Sequence, residues 1–255
     1  MEEKKVIYTS LVGGYENLLQ PKVVDRSFDY ICFSNDIAET KVGVWQIENI
    51  PYEDENLSRL SRYVKLLPHK VLSKYVYSIW IDANIQITGK EFYDYIYRRI
   101  YEQVQIAQVP HPTSKDVFHE IRSAYYCEKV GWKSARDQIR YLKNKGFPEG
   151  INIFENNIIL RKHNDDEVKL ISEDWWTEFV TSAPRDQFSL TYVYWKRLFS
   201  PVYLFDSKHN TRNVSFLEYH VHPSMQRRND YYEMHPILRA LNALKKWIVV
   251  RIFLR

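Results

Sequence analysis

Short apolar runs separated by turn residues recur along the chain and predict β-strands. The longest, "YVYSIWIDANIQI", is apolar almost without alternation up to Asp82. Such continuity is typical of a strand buried on both faces in the middle of a sheet. Further strands are predicted in "KKVIYTSL", "FDYICFSN", "VWQIENI", "VQIAQV", "GINIFENNIIL" and, as the last of them, "PVYLFD".

Helical spacing appears between the predicted strands. In "NLSRLSRYVKLLPH", Leu60 and Val64 belong to one stripe, while Arg62, Lys65 and His69 belong to another that is expected to face the binding crevice. Helices are also predicted in "EFYDYIYRRIYEQ", in most of the segment 116–145, in "DDEVKLISEDWWTEFV" and in "RDQFSLTYVYWKRL". This alternation predicts an α/β fold with a mixed, mostly parallel sheet flanked by helices.

The distribution of charge divides the chain into a body and a tail. The net charge is +4, but residues 236–255 contain five basic residues and no acidic residue, so the body over residues 1–235 carries −1. A nearly neutral body does not support binding to nucleic acid. Since no Pro-, Gly- or Ser-rich linker interrupts the body, one domain is expected there, followed by a basic C-terminal helix over residues 236–255.

Two cysteines and the N-terminal stretch bear on the compartment. Cys32 and Cys127 give neither a disulfide framework nor a metal-binding spacing. "MEEKKVIYTS" lacks the architecture of a signal peptide, and no apolar run is long enough to cross a bilayer. A reducing, cytoplasmic location is therefore expected.

The end of the central strand carries the first candidate chemistry. In open α/β sheets, ligands bind beyond the carboxyl ends of the strands. Asp82 and Asn84 lie there and offer two oxygen ligands of the kind that hard divalent cations prefer. The alternative is that Asp82 caps the next turn.

Several motifs in order resemble one known family. A basic segment with Arg62, Lys65, Pro68 and His69 leads into "YSIWID", and "FPEGINIFENNIILRKHN", "RDQFSLTYVYWK" and "EYHVHPS" follow. This order is similar to the glycosyltransferase-like domain of bacterial polysaccharide loci and of plant turgor-regulation and mucilage-related proteins. The resemblance covers roughly residues 6–222.

The resemblance implies a glycosyltransferase-A-like fold and transfer of a sugar from a nucleotide-sugar donor. The expected donor nucleotide is UDP. The expected acceptor is a glycan or lipid-linked molecule in polysaccharide or lipopolysaccharide synthesis. A non-catalytic sugar- or nucleotide-binding module on the same fold is the alternative, because Asn84 stands where a second carboxylate would be the stronger metal ligand. A sugar nucleotidylyltransferase is a third reading, although the chain shows no glycine-rich phosphate loop.

The donor site is expected to use residues from several motifs. Arg62 and Lys65 would bind the diphosphate, since cations stabilise this leaving group and arginine offers paired donors. The alternative for Arg62 and Lys65 is that they belong to a solvated basic face of their helix. The alternative for the segment after the first strand is that it forms a plain turn and binds no donor. The predicted donor-binding residues are Thr9, Leu11, Tyr15, Arg62, Lys65, Asp82, Asn156 and Arg185.

The catalytic assignment follows from the resemblance. Asp186 and Gln187 correspond to an Asp-Gln pair of retaining glycosyltransferases, so Asp186 is expected near the reacting carbon and Gln187 beside it. The alternative is that Asp186 merely caps its helix. His111 and Glu120 are expected on the acceptor side.

Three consecutive polar residues interrupt a predicted strand in "NIFENN". Glu155, Asn156 and Asn157 either bind one another or bind sugar hydroxyls, because burying them unpaired would be costly.

A divalent cation, Mn²⁺ or Mg²⁺, is expected on Asp82, Asn84 and His222. His220 and His222 alternate along an extended segment, so only one should face the site. His222 is favoured because Pro223 keeps the chain before it extended.

The tail combines apolar residues, Trp247 and five cations. An amphipathic helix on an anionic bilayer fits this pattern and would place the protein on the inner face of the cytoplasmic membrane, near a lipid-linked acceptor. The alternatives are packing against the domain or against a second subunit.

Overall fold

The computed structural model describes residues 4–14, 17–221 and 223–254 and has a mixed β-sheet at its centre. Its eight strands run in the order β3-β4-β2-β1-β5-β8-β7-β9, and a two-stranded antiparallel sheet of β10 and β6 lies apart. The strands are β1 (Lys5–Ser10), β2 (Phe28–Phe33), β3 (Lys41–Val42), β4 (Trp45–Glu48), β5 (Tyr77–Ile81), β6 (Ile85–Ile87), β7 (Ile106–Pro110), β8 (Phe154–Arg161), β9 (Val202–Tyr203) and β10 (Leu217–Tyr219).

Parallel pairing predominates in the larger sheet. β1 pairs in parallel with β2 and β5, β2 with β4, and β7 with β9, while β8 runs antiparallel to both β5 and β7. The helices are α1 (Leu57–Leu66), α2 (Pro68–Val71), α3 (Glu91–Tyr101), α4 (Val117–Tyr126), α5 (Trp132–Asn144), α6 (Asp166–Thr181), α7 (Asp186–Lys196), α8 (Pro223–Met234) and α9 (Pro236–Phe253). The predicted mixed, mostly parallel sheet flanked by helices is confirmed.

Helices cover both faces of the sheet, which explains the unbroken apolar run of β5. Ile79 packs in a core that includes Phe92 of α3. Trp80 points to the other face, where it packs with Val64 of α1 and Trp175 of α6. Because neighbouring side chains of a strand point to opposite faces, a strand covered on both sides has to be apolar throughout.

The helix that carries the basic motif ends sooner than its pattern suggests. Asn56 caps α1 by accepting hydrogen bonds from the amides of Ser58 and Arg59, and Pro68 begins the separate helix α2. His69 therefore leaves the face of Arg62 and Lys65, and its Nε2 lies 3.0 Å from Glu173 Oε1 on α6. The expectation that His69 shares their face is wrong, because proline disfavours the helical conformation of the residue before it.

The prediction of the last strand is wrong in two respects. "PVYLFD" forms only the two-residue strand β9, and it is not the last strand, because β10 follows it.

β8 contains an irregularity opposite β7, where Gln108 pairs with Ile159 but the next residue, Val109, pairs with Glu155. The extra β8 residues between these pairs form a bulge, which changes where side chains point.

The C-terminal helix α9 docks on the α4–α5 side of the domain. Leu254, just beyond it, is fully buried in the core between these helices. Glu128, in the turn after α4, accepts hydrogen bonds from Lys246 Nζ at 2.6 Å, Asn242 Nδ2 at 2.7 Å and Tyr232 Oη at 3.0 Å. In the described part of the chain, no helix has the length and hydropathy needed to span a bilayer.

The Glu128 carboxylate is expected to hold α8 and α9 in place. Partial burial favours its neutral form, but the hydrogen bonds from Lys246, Asn242 and Tyr232 outweigh this and lower its pKa from 4.5 to about 2. A depressed carboxyl pKa contributes stability that is complete above pH 4.5 and is lost as the pH falls toward 2. Glu128→Ala should therefore accelerate amide hydrogen exchange in residues 236–254 at neutral pH.

The matched control for this variant is Glu149→Ala, because Glu149 forms only an exposed 3.9 Å ion pair with Lys143. It should leave exchange in α9 unchanged. Equal exchange in Glu128→Ala and the wild type would show that Glu128 does not anchor the helix.

Candidate functional site

A polar cleft opens beyond the carboxyl end of β5, beside the start of α7. Its volume is about 310 Å³, and it collects residues from motifs spread over more than half of the chain. It brings together the following residues singled out from the sequence: Arg62, Lys65, Asp82, Asn84, His111, Glu120, Glu155, Asn156, Asn157, Arg185, Asp186 and Gln187.

The ammonium group of Lys65 lies at the centre of this site and is almost completely buried. Its Nζ lies 2.8 Å from Asp186 Oδ2 and 3.3 Å from Asp82 Oδ1. The Trp80 ring approaches the ammonium to 5.2 Å, and Trp80 Nε1 donates to Asp82 Oδ1 at 2.7 Å. Asp82 therefore uses its side chain to bind Lys65 and Trp80 and does not cap the next turn.

Asp186 is the second carboxylate that contacts Lys65. Burial favours its neutral form, but the charges of Lys65, Arg62 and Arg185 outweigh this and hold its pKa well below its usual range. Arg62 Nε lies 3.6 Å from Asp186 Oδ2. Asp186 is the first residue of α7 rather than its N-cap, so the capping alternative does not hold. The site thus contains a permanent carboxylate, which cannot serve as a proton donor at neutral pH.

A buried arginine, Arg161, holds the backbone of Lys65 in place by a hydrogen bond. Arg161 Nη2 donates to the Lys65 carbonyl at 2.6 Å and to Tyr8 Oη at 2.5 Å. His163 is also buried, and its Nε2 forms a hydrogen bond with the Leu72 carbonyl at 2.9 Å. Burial lowers the pKa of His163 to about 4. Arg161 and His163 therefore pack behind the residues that line the cleft and do not line it themselves.

The side chains of Asn156 and Gln187 lock β8 to the start of α7. Asn156 donates its amide N–H to Gln187 Oε1 at 3.1 Å and its Nδ2 to the Asp186 carbonyl at 3.2 Å. Gln187 Nε2 donates to the Phe154 carbonyl at 2.6 Å. Gln108, fully buried behind them, donates to Asn156 Oδ1 at 3.0 Å. These contacts fix the position of Asp186.

The bulge in β8 accounts for the three polar residues that interrupt it. Glu155, Asn156 and Asn157 are all buried and all line the cleft, which strict alternation along a strand would prevent. Asn157 Nδ2 donates to Glu155 Oε2 at 3.0 Å. Asn157 and Glu155 therefore bind one another, Asn156 binds Gln108 and the start of α7, and all three line the cleft.

Arg212 and Tyr219 are two further cleft residues that no sequence pattern indicates. Arg212 Nη1 donates to Glu155 Oε1 at 2.6 Å, and its guanidinium lies 4.4 Å from the centre of the Tyr219 ring. Arg212 lies in an irregular segment between β9 and β10, where no periodicity indicates a position. Its pairing with Glu155 depends on contact between distant parts of the chain.

His111 and Glu120 form a buried pair on the α4 wall of the cleft. The amide of Ser114 donates to His111 Nδ1 at 2.8 Å, so a neutral imidazole carries its proton on Nε2, which lies 3.3 Å from Glu120 Oε2. Burial opposes ionisation of Glu120, but hydrogen bonds from His111 and Ser114 lower its pKa. The carboxylate is therefore ionised at neutral pH.

Four predicted residues are not among those lining the cleft. Thr9 is buried, and the amide of Leu11 donates to the Phe33 carbonyl. Tyr15 and His222 lie outside the described residues. The assignments of these residues to donor or metal stay predictions.

The described oxygen donors do not by themselves form a divalent-metal site. Asp82 is already neutralised by Lys65, and Asn84 donates its Nδ2 to the His220 carbonyl at 2.9 Å. Among the described residues, no three His, Cys, Asp or Glu side chains are grouped so that they could hold a metal ion. Binding of Mn²⁺ or Mg²⁺ stays a prediction, and it depends on His222 or on ligand oxygens.

The buried cluster predicts a large effect on stability. Asp186→Asn removes the carboxylate nearest to the Lys65 ammonium and should lower the free energy of unfolding by about 3 kcal/mol, measured by urea denaturation. Asp174→Asn is the matched control, since Asp174 forms partly exposed pairs with Arg197 and Lys196 and should cost less than about 1 kcal/mol. Equal losses in the two variants would contradict the central role of the buried pair.

Comparison with known proteins adds the family. Residues 23–222 match the model of the family described as TOD1/MUCI70, glycosyltransferase-like domain. The chain is 27% identical over 165 residues to Probable hexosyltransferase MUCI70 of Arabidopsis thaliana, which covers 60% of this chain but 28% of that relative. The chain therefore spans less than a third of the length of this relative.

Two solved structures are similar at low identity. Mouse xyloside xylosyltransferase 1 in its apo form aligns over 78% of this chain and 84% of its own, with 8% identity and a TM-score of 0.43. The apo structure of the bifunctional glycosyltransferase WbbM aligns over 85% of this chain and 43% of its own, with 10% identity and a TM-score of 0.43. The family match spans most of the chain and confirms the resemblance found in the sequence: the chain belongs to the TOD1/MUCI70 glycosyltransferase-like domain family.

Proposed function

We propose that this chain is a hexosyltransferase that moves a sugar from a nucleotide-sugar donor to an acceptor hydroxyl in the cleft, on a glycosyltransferase-A-like fold. The observation that carries the proposal is the buried Lys65 ammonium held between Asp82 and Asp186, with Arg62 beside it. Family membership and the hexosyltransferase relative support the same reaction class.

The cluster suits a diphosphate leaving group. The bond between the sugar anomeric carbon and the diphosphate breaks, and negative charge develops on the diphosphate. Lys65 and Arg62 are held in position before this charge appears, so little reorganisation is needed when it does. Asp82 and Asp186 fix the ammonium, and Arg62, whose side chain is partly exposed, can contact phosphate oxygens directly.

The opposite charge develops on the sugar ring, which becomes oxocarbenium-like as the leaving group departs. The permanent carboxylate of Asp186 stabilises such a cation. A retaining outcome is part of the proposal: the acceptor oxygen attacks from the side that the diphosphate leaves, and the acceptor proton passes to a phosphate oxygen. Glu155, Asn156 and Asn157 offer hydrogen-bonding groups for sugar hydroxyls.

The proposed donor nucleotide and acceptor are those that the family resemblance implies. UDP is the proposed nucleotide, and a glycan or lipid-linked molecule of polysaccharide or lipopolysaccharide synthesis is the proposed acceptor. The competing function is a binding module without turnover. Asn84 favours the binding module, because a carboxylate at this position would be a stronger metal ligand. The Asn84 amide instead donates a hydrogen bond to the His220 carbonyl.

Turnover and its dependence on Lys65 test the proposal. Incubation with UDP-hexoses, with and without Mn²⁺, should release free UDP. Lys65→Met should lower kcat/KM by about 100-fold or more, because a preorganised cation facing the leaving group is lost. Lys70→Met is the control, since Lys70 forms a partly exposed ion pair with Glu173 and should keep full activity. Binding of UDP-hexose without any release would favour the binding module.

The configuration of the product tests the role of Asp186. NMR of the anomeric proton should show that the new bond keeps the configuration of the donor. An inverted product would require a base on the acceptor side and would remove Asp186 from the proposed role.

The outer face of α9 supports contact with an anionic membrane. Five apolar residues spaced four, three, four and four positions apart form one helical stripe, with exposed fractions from 41% to 75%. The opposite face carries Asn242 and Lys246, which bind the domain. The stripe consists of Ile237, Leu241, Leu244, Ile248 and Ile252.

The charges beside the stripe indicate which partner covers it. Lys245 and Arg251 are exposed next to it, and residues 236–254 contain no acidic residue. Two copies of the stripe would bring these cations together, whereas an anionic lipid surface would neutralise them. We therefore propose that α9 lies on the cytoplasmic face of an anionic membrane.

Flotation with lipid vesicles tests this surface. The full-length protein should float with vesicles containing phosphatidylglycerol and should bind pure phosphatidylcholine much more weakly. Leu244→Glu/Ile248→Glu should abolish flotation, while Leu170→Glu, at an exposed apolar position on α6, should not. Absence of wild-type flotation, together with a dimer that the double variant dissociates, would identify the stripe as a subunit interface instead.

A further inference from the structure

Lys129 and Arg185 are two cations of the cleft that the reaction described above does not use. We propose that they form an anion subsite, and that it binds a phosphate or carboxylate group carried by the acceptor. The assignment to the acceptor rests on the proposed glycosyl transfer. The existence of the subsite rests only on the charges and contacts of the cleft.

Most other charged groups of the cleft already contact an opposite charge. Lys65 contacts Asp82 and Asp186, and Arg212 donates to Glu155 at 2.6 Å. Glu120, the remaining acid, lies 3.3 Å from His111. Among the described cleft residues, Glu120 is therefore the carboxylate that remains to attract Lys129, and the two side chains form no ion pair.

Lys129 and Arg185 differ from the rest in having no such partner. Within the part of the chain that the structure describes, neither side chain makes an ion pair or a hydrogen bond. Arg185 Nε is enclosed by protein and has no acceptor, although Asp186 feels the arginine charge at longer range. A buried guanidinium donor without an acceptor is costly, and a bound anion would supply the missing acceptor.

The two cations also repel each other. Desolvation is the main cause of the lowered pKa of Lys129, and the charge of Arg185 is the next. The nearby Glu120 carboxylate opposes this shift only in part. Two positive charges that Glu120 compensates only in part attract an anion, which would raise the pKa of Lys129 again.

The start of α7 adds to the positive potential. Arg185 occupies the N-cap position of this helix, and its side chain makes no capping hydrogen bond. The N-terminal end of a helix carries partial positive charge and favours anions. The guanidinium can bind two oxygens of a phosphate or carboxylate, and the lysine supplies a point charge.

The position of Lys129 favours the acceptor as the source of the anion. Lys129 follows α4, whose residues Glu120 and Ser123 form one wall of the cleft. Lys65 and Arg62, proposed to bind the donor diphosphate, belong to a different element, α1. A sugar acid or a phosphorylated acceptor would place its charge between Lys129 and Arg185 while its hydroxyl points toward Asp186.

Phosphorus NMR can test the subsite with inorganic phosphate as the probe. Phosphate should bind the wild-type protein, and Lys129→Gln and Arg185→Gln should each weaken binding by about tenfold or more, as expected for loss of a charged hydrogen bond. Lys133→Gln is the matched control, because Lys133 is exposed on α5 and does not line the cleft. Phosphate binding that is absent in the wild type, or equal in all four proteins, would overturn the proposal.

A second titration separates the acceptor from the donor as the source of the anion. With UDP at saturation, phosphate should still bind with an affinity within about twofold of its value without UDP. Glucuronic acid should compete with phosphate, since its carboxylate would occupy the same cations. Displacement of phosphate by UDP would assign the site to the donor diphosphate and overturn the acceptor assignment.

The failure of the subsite and the failure of the proposed function give different results. If UDP and UDP-hexoses do not bind at all, the proposed transfer is wrong, yet phosphate binding that depends on Lys129 would still establish the anion subsite. If UDP-hexose is turned over but phosphate does not bind, the transfer stands and the subsite is wrong.

Discussion

The buried ammonium of Lys65 is the interaction on which the site depends. A charge removed from water has to be compensated, and here two carboxylates from separate elements do so. This requirement fixes the carboxyl end of β5 against the first residue of α7. Arg161 holds α1, the helix that carries Lys65, by donating to the Lys65 carbonyl. The position of the cleft is therefore set by electrostatic compensation as much as by the packing of the apolar core.

The same requirement explains why the cleft is preorganised. Asp186 cannot lose its charge at neutral pH, and its backbone carbonyl is held by Asn156. A site that is already polarised has little to reorganise when charge develops on a ligand. Lys129 and Arg185 are the exception, because no described side chain pairs with either of them. A ligand that brings its own negative charge would complete the compensation that the protein leaves open.

The cleft and the C-terminal helix are connected through one turn. Glu128 binds Lys246 and Asn242 of α9, while its neighbours Cys127 and Lys129 line the cleft. The wall proposed to receive the acceptor is thus attached directly to the helix proposed to lie on a membrane. A lipid-linked acceptor would meet both proposed surfaces at once, which would give the basic tail a role in the reaction as well as in localisation.

The sequence by itself determined the long strands of the sheet, most of the helices and most of the cleft residues. An unbroken apolar run can be buried only in the middle of a covered sheet, and the polar residues at its end have to face its open edge. The ordered motifs around Arg62, Lys65, Asp82 and Asp186 were also enough to indicate the family. Local patterns therefore located each group along the chain, but they could not indicate which group would neutralise which.

Only the tertiary structure decided the pairing of charges. Lys65 and Asp186 are distant in sequence, so no spacing predicts that they meet, and the pairing of Arg212 with Glu155 is equally long-range. His69 left the basic face because Pro68 begins a new helix, and a bulge turned three consecutive residues of β8 into the cleft. The apolar stripe of α9 was visible in the sequence, but its direction away from the domain was not. Periodicity defines a face of a helix, whereas the contacts of the opposite face decide where that face points.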